Sequence, residues 1–352
     1  MQKSARLLTI VLALSLILLS ANNLFAQYKR VNLVSNMPGA ALHVDPNLIN
    51  GWGLAFFAHS PFWVADAGTG VSTLYGPGGS MVPLVVTVPS APGLGPTGIV
   101  ANSSAGFVVT ENGVSGPAAF IFDSMDGTIS GWSPNVDVTH AIIAVNNSSS
   151  GAAYTGLAIA MDSSGNTFIY AADQGNNKVD IYDSGFNFVK SFTDSSLPAG
   201  FSAFGIQNIG GKLYVTFAGF FSGNLGGFVD VFDTSGNLIK KFAANGTLNL
   251  PWGLAQAPAD FGRFSHDILI GNLFDGTINA FRRNGKFKGQ LKDAHGKVIS
   301  VDGLWALKFG TDPSANGGKN QLFFTAGPSF YANGLFGRIT AIEDDQGEDE
   351  DN

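Results

Sequence analysis

Thr155-Gly156-Leu157-Ala158, then Ile169-Tyr170-Ala171-Ala172-Asp173, then Lys178-Val179-Asp180-Ile181-Tyr182, then the run from Phe186 to Phe192, form one unit of about 50 residues that decides the fold. Each segment is short, rich in β-branched and aromatic residues, and bounded by Gly, Asn, Asp or Ser, which is how strands and tight turns read. The opening Gly-apolar step recurs on either side. It stands at Trp52-Gly53-Leu54-Ala55, Thr97-Gly98-Ile99-Val100, Phe204-Gly205-Ile206-Gln207, Trp252-Gly253-Leu254-Ala255 and Asp302-Gly303-Leu304-Trp305. The six glycines lie 45, 58, 49, 48 and 50 residues apart. Four strands repeated at this period make a β-propeller blade, and no sustained 3.6-residue apolar period competes with that reading. An all-β, six-bladed propeller of four-stranded antiparallel blades is expected.

The second strand of each unit is read at Phe62–Asp66, Phe107–Glu111, Ile169–Asp173, Leu213–Phe217, Ile268–Asn272 and Leu322–Ala326. The sixth unit ends at its third strand, Arg338 to Ile342. A strand-like run from Tyr28 to Val34 precedes the first unit. Pairing the two completes the last blade and leaves no open edge.

The third unit resembles an NHL repeat. It carries the Gly-Leu-Ala start, the turn Asp162-Ser163-Ser164-Gly165-Asn166, the strand end Ala171-Ala172-Asp173 and Gly175-Asn176-Asn177-Lys178, with Lys178 where the repeat usually has Arg. The fourth unit departs further, with Phe217 at the usual Asp position. Residues 27–342 also resemble an uncharacterised family of exported bacterial NHL-like propellers. Asn32-Leu33-Val34-Ser35, Phe62-Trp63-Val64, Asp126-Gly127-Thr128-Ile129-Ser130-Gly131-Trp132 and Gly334-Leu335-Phe336-Gly337-Arg338-Ile339 carry the likeness. Many members end in a C-terminal sorting signal, which this chain replaces with an acidic tail. The resemblance implies the six-bladed fold and no activity.

The chain ends have their own signatures. Lys3 and Arg6 precede an apolar run from Leu7 to Leu19, and Leu24-Phe25-Ala26 offers a cleavage site. That run is too short for a membrane-spanning helix and reads as a signal peptide over residues 1–26, with an uncleaved anchor as the alternative. A secreted or periplasmic location is expected, with no transmembrane segment after cleavage. Residues 343–352 hold seven carboxylates and no base, a self-repelling block that reads as a disordered tail. The chain carries −7 overall; without the two leader bases and the tail carboxylates the body is near −2. Nucleic-acid binding, which needs a concentrated basic face, is not expected. The absence of cysteine excludes thiol catalysis and thiolate metal sites. His43, His59, His140, His266 and His295 show no zinc-protease spacing.

In such blades the link into the first strand and the turn between the second and third strands share one face. Trp52, Thr97, Thr155, Phe204, Trp252 and Asp302 should therefore ring one channel mouth. The loops 220–226 and 328–333, with Phe221 and Tyr331, should shape a pocket there or pack on their own blades. Gln207 and Trp305 replace the small residue that other units carry two positions after the glycine, and Gln207 with Asn208 is a candidate ligand contact. Asp66, Glu111, Asp173 and Asn272 at second-strand ends are oxygen donors of the kind that hold Ca²⁺. Related six-bladed lactonases and lyases hold a cation at the channel mouth with such residues. The other reading makes them turn caps accepting backbone N–H bonds. Two functions follow. One is an exported scaffold, expected as a monomer, that binds a protein, peptide or glycan. The alternative is a Ca-dependent hydrolase or lyase of the lactonase-like kind.

Overall fold

The structure, a computed structural model, describes residues 27–342. The expected signal peptide and acidic tail lie outside the described residues. Among the described residues no helix is long and apolar enough to cross a membrane.

Six sheets are arranged as blades, antiparallel except that His43–Val44 adds a short parallel fifth strand at the edge of the closing one. Blade 1 runs Gly51–Ala55, Phe62–Asp66, Val71–Tyr75 and Val86–Thr87. Blade 3 runs Tyr154–Met161, Thr167–Asp173, Lys178–Tyr182 and Phe188–Phe192; blade 4 Ser202–Ile209, Lys212–Gly219, Asn224–Phe232 and Leu238–Ala244; blade 5 Pro251–Gln256, Ile268–Asn272, Ile278–Phe281 and Phe287–Gln290. Blade 6 takes Leu304–Phe309, Gln321–Ala326 and Leu335–Ala341 from the C-terminal end, and Tyr28–Ser35 from the N-terminal end. Tyr28 pairs with Ala341 and Ser35 with Leu335, so the ring closes through the terminal strands as expected.

Six buried apolar clusters fill the spaces between neighbouring blades. Phe62, Tyr75, Phe323 and Phe336 join blades 6 and 1; Trp63, Phe120 and Trp132 join blades 1 and 2. Because each blade is covered on both faces by a neighbour, its inner strands are buried along their whole length, as at Gly51–Ala55 and Phe62–Asp66.

Blade 2 differs from expectation. Its strands are Pro96–Ala101, Phe120–Ser124, Thr128–Trp132 and Ile142–Asn146. Val108–Glu111 pairs instead with Val114–Pro117 in a separate hairpin inserted between the first and second strands. The insertion accounts for the longest spacing in the repeat. Glu111 is therefore not at a second-strand end; Asp123-Ser124 is.

The recurring glycine has a packing cause. In each blade the pairing of the first two strands is interrupted near its start. The interruption presses each inner strand against the next. A Cβ at Gly53 would lie 2.4 Å from the Thr97 carbonyl oxygen, one at Gly205 2.5 Å from that of Trp252, and one at Gly253 2.3 Å from that of Trp305. Only glycine allows backbones to approach this closely.

This geometry corrects the sixth repeat. Gly303 has φ +67° and its Cβ would meet Gly327 of its own blade, not a neighbouring inner strand. Leu304 pairs with Ala326 and Leu307 with Phe324, which puts the interruption at Trp305-Ala306. Ala306 N–H donates to Thr325 Oγ1 at 3.1 Å, as Gly205 N–H donates to Thr216 Oγ1 at 2.8 Å. The sixth counterpart of Trp252-Gly253 is thus Trp305-Ala306, three residues beyond Asp302-Gly303.

Candidate functional site

The corrected register changes which residues meet at the mouth formed by the strand 2–3 turns. The ring is Trp52, Thr97, Thr155, Phe204, Trp252 and Trp305. Trp52 and Trp305 stack with centroids 3.5 Å apart and planes 16° from parallel. Trp252 meets Trp305 edge-on at 5.8 Å, and Phe204 meets it at 5.9 Å. Phe220 stacks on Phe204 at 5.0 Å, and Tyr331 packs on Trp305 at 5.7 Å. The indole N–H of Trp305 donates to Asn50 Oδ1 at 2.8 Å, and that of Trp252 to the Thr155 carbonyl at 2.7 Å. This mouth is an apolar plug with satisfied polar edges rather than an open pocket. One exception is the indole N–H of Trp52, which is buried without an acceptor. Asp302 stands outside the ring, exposed, and accepts the Ser329 N–H at 2.8 Å.

The two elaborate loops each divide their aromatics. Phe220 and Tyr331 point into the plug, while Phe221 is 56% exposed and Phe330 is 97% exposed. Neither loop shapes a pocket at this mouth; one aromatic of each packs into the plug and the other faces outward. Ser329, Phe330 and Tyr331 all have φ between +55° and +67°. Three consecutive non-glycine residues in the left-handed region cost on the order of 1–3 kcal/mol each. Tyr331 in the plug and the carbonyl of Gly327, which accepts the Tyr331 N–H at 3.1 Å, hold this conformation. Phe274, exposed in the strand 2–3 turn of blade 5, and Leu225, exposed at the start of the third strand of blade 4, extend the apolar rim.

The four candidate cation ligands do not converge. Asp66 Oδ2 accepts the Thr73 N–H at 3.0 Å and its hydroxyl at 2.8 Å. Asp173 Oδ1 accepts the N–H of Ala153 at 3.0 Å and of Asn176 at 3.2 Å, tying the incoming link to the outgoing turn of blade 3. Asn272 does the same in blade 5, accepting the Asn249 N–H at 3.0 Å and donating to the Thr247 carbonyl at 2.8 Å. Glu111 lies on the inserted hairpin. Among the described residues no three acidic or histidine side chains come together in a geometry that would hold a metal ion. These are turn and strand caps of the ordinary kind, and the donor set does not fit Ca²⁺.

One buried carboxylate was missed in the sequence. Asp123 stands one residue before Ser124, the second-strand end of blade 2. Its Oδ1 accepts the Gly98 N–H at 2.5 Å and the Thr97 hydroxyl at 2.7 Å, the part that Thr216 and Thr325 play in blades 4 and 6. Burial pushes its carboxyl up to about 6. The 58-residue spacing was the signal that an insertion had displaced this position.

Gln207 and Asn208 lie toward the opposite end of the channel. With the sixth register corrected, Gln207 is equivalent to Ala55, Val100, Ala158, Ala255 and Lys308. Gln207, Asn208 and Lys308 line one cavity of about 200 Å³ with Ala55, Val100 and Ala158. Lys308 escaped notice because the expected register put Trp305 in its place. Asn208 is occupied locally: its amide donates to the Ile159 carbonyl at 3.0 Å and its oxygen accepts the Gly211 N–H at 3.1 Å.

The protein is a six-bladed, terminally closed β-propeller whose channel is plugged by aromatics at one mouth and hollow at the other. It belongs to one family with an uncharacterised protein of Acanthamoeba polyphaga mimivirus, to which it is 32% identical over 326 residues, 87% of this chain and 78% of the viral protein. That relative is viral, not one of the bacterial proteins the sequence segments resemble; the part of the resemblance that holds is the architecture. No established family profile matches the chain. Among solved structures it is similar to a streptogramin B lyase (TM-score 0.53, 12% identity, 90% of this chain and 97% of that one). It is also similar to a gluconolactonase from Xanthomonas campestris (TM-score 0.52, 12% identity, 84% and 87%). At these identities the likeness is one of fold, and fold alone does not carry function.

Proposed function

We propose that the protein is an exported binding scaffold that presents its plugged face to a protein, peptide or glycan. Phe330 carries this reading: a phenyl ring 97% exposed, held by a backbone of three left-handed residues and braced by Tyr331 in the plug. A soluble fold gains nothing from holding an aromatic ring in water on a strained support, whereas strain that persists at a surface loop is a mark of recognition sites. Phe221, 56% exposed, stands out from the other loop, whose Phe220 contacts Tyr331. Rigid aromatics of this kind bind at low entropic cost, because little side-chain freedom is left to lose.

The test is a parallel screen of a glycan array and a displayed-peptide library against the wild-type protein and the double variant Phe221→Ala, Phe330→Ala. A ligand that binds the first and is lost from the second, with melting temperature unchanged, is the expected result. Ligands that bind both forms equally would remove this face from consideration.

The alternative, a cation-dependent hydrolase or lyase, draws on the fold likeness to a lyase and a lactonase. It ranks second because Asp66 Oδ2, Asp173 Oδ1 and Asn272 Oδ1 already accept local N–H groups and the side chains do not gather into one cluster, although Asp66 Oδ1 is buried without a partner. One tightly held cation per chain, with a melting drop on chelation, would reverse that ranking.

A further inference from the structure

The inner strands supply a ring of equivalent positions at the hollow end of the channel: Ala55, Val100, Ala158, Gln207, Ala255 and Lys308. Four are small and apolar. The remaining two, in blades 4 and 6, carry an amide and an amine, and both line the narrow waist of the channel as well as the cavity of about 200 Å³ beyond it. Two polar departures from an apolar ring thus meet in one hollow space.

Lys308 is the unusual member. Among the described residues no carboxylate pairs with its amine and no acceptor hydrogen-bonds it. Desolvation alone pulls the amine down to about 8, so at neutral pH it is still mostly charged. A partly buried cation without a counter-ion is costly. Lys178, Lys241 and Lys288 each reach an aspartate, and the half-buried Lys240 and Arg338 reach backbone carbonyls. Gln207 has only a long contact from its amide nitrogen to the Asn208 carbonyl, 3.4 Å, and retains bonding capacity.

We propose that this cavity binds a small monocarboxylate with an apolar body, its carboxylate on Lys308 and Gln207 and its body against Ala55, Val100 and Ala158. One cation calls for one negative charge; a dianionic phosphate would bury a second charge unpaired. Chloride would leave the apolar wall unused. The cavity is smaller than the roughly 300–1,000 Å³ of drug-sized sites, which limits the ligand to a single ring or a short chain. This site is independent of the aromatic face and stands or falls separately from it.

Calorimetric titration of the full chain at pH 7 with benzoate and with hexanoate tests the assignment, beside the uncharged benzyl alcohol and hexanol. The expected result is saturable one-to-one binding of at least one carboxylate and none of its alcohol. Loss of a charge-assisted contact in Lys308→Met should weaken binding about tenfold or more, while Lys308→Arg retains it. Ala101→Leu, which narrows the same cavity from blade 2 without touching the amine, should also block binding and decides the matter if Lys308→Met does not fold. Absence of saturable carboxylate binding to the wild type overturns the proposal and leaves water as the cavity's occupant. Binding that is equal in the wild type and Ala101→Leu, or in the wild type and a folded Lys308→Met, overturns it as well.

Discussion

The two mouths of the channel are built on one backbone and have opposite characters. Six inner strands converge at both, and the close approach at Gly53, Gly98, Gly156, Gly205 and Gly253, with Ala306 at the sixth counterpart, sets the bore. At the mouth formed by the strand 2–3 turns, the residue before each close approach is Trp, Thr or Phe, and four large aromatics stack into a plug. At the other mouth, two residues after the close approach, the side chains are mostly Ala and Val, and a cavity remains. The backbone sets where a channel runs. Side-chain volume at two registers decides whether each end is closed.

Breaking the plug should have the largest effect. Trp305 is fully buried, stacks on Trp52 and satisfies Asn50. Trp305→Ala is expected to cost about 3–5 kcal/mol, read as a loss of denaturation free energy at unchanged m-value. An equivalent loss from Lys308→Met would remove the contrast between a structural and a hollow mouth. The bore itself is tested by Gly253→Ala, whose Cβ would stand 2.3 Å from the Trp305 carbonyl oxygen. Overpacking of about 1–3 kcal/mol is expected, against about 0.5–1 kcal/mol for Ala306→Gly at the equivalent position that already carries a Cβ.

A pH series sharpens the comparison at the plugged end, where Asp123 clamps Gly98 and Thr97. Its folded value of about 6 lies above its ordinary 3.8. The native state therefore holds the extra proton across that window, and stability from this group is present below it and lost as pH rises through about 6. Asp123→Asn, whose side-chain oxygen can still accept both bonds, should match the wild type near pH 4 and exceed it at pH 8 by on the order of 2 kcal/mol. Thermal melts at the two pH values check this; equal differences at both would refute the burial argument. Smallest of all is Glu111→Gln on the inserted hairpin, expected to move stability by no more than about 0.5 kcal/mol. A larger loss would return Glu111 to the candidate site.

Particular residues show what could be read before the fold was seen. The Gly-apolar step and the alternating strands were legible because each blade is a local unit with a regular period. The terminal closure was legible because one unit lacked a strand and the other end had one to spare. Glu111 misled because Phe107-Val108-Val109-Thr110-Glu111 imitates a second strand; only the pairing of Phe120–Ser124 with Pro96–Ala101 shows that it is an insertion. Asp302-Gly303 misled for a related reason. A glycine can serve a left-handed turn or a close approach, and one sequence does not tell which.

By itself, then, the sequence determined the blade count, the strand order within most blades and the closing pair, since these follow from local periodicity and from hiding every sheet edge. The tertiary structure alone decided the functional geography. Plug and cavity arise from side chains some 50 residues apart that meet only when the ring closes. Whether Trp305 or Lys308 faces a given partner depends on a three-residue register that is set by backbone packing between blades, not by any pattern within one.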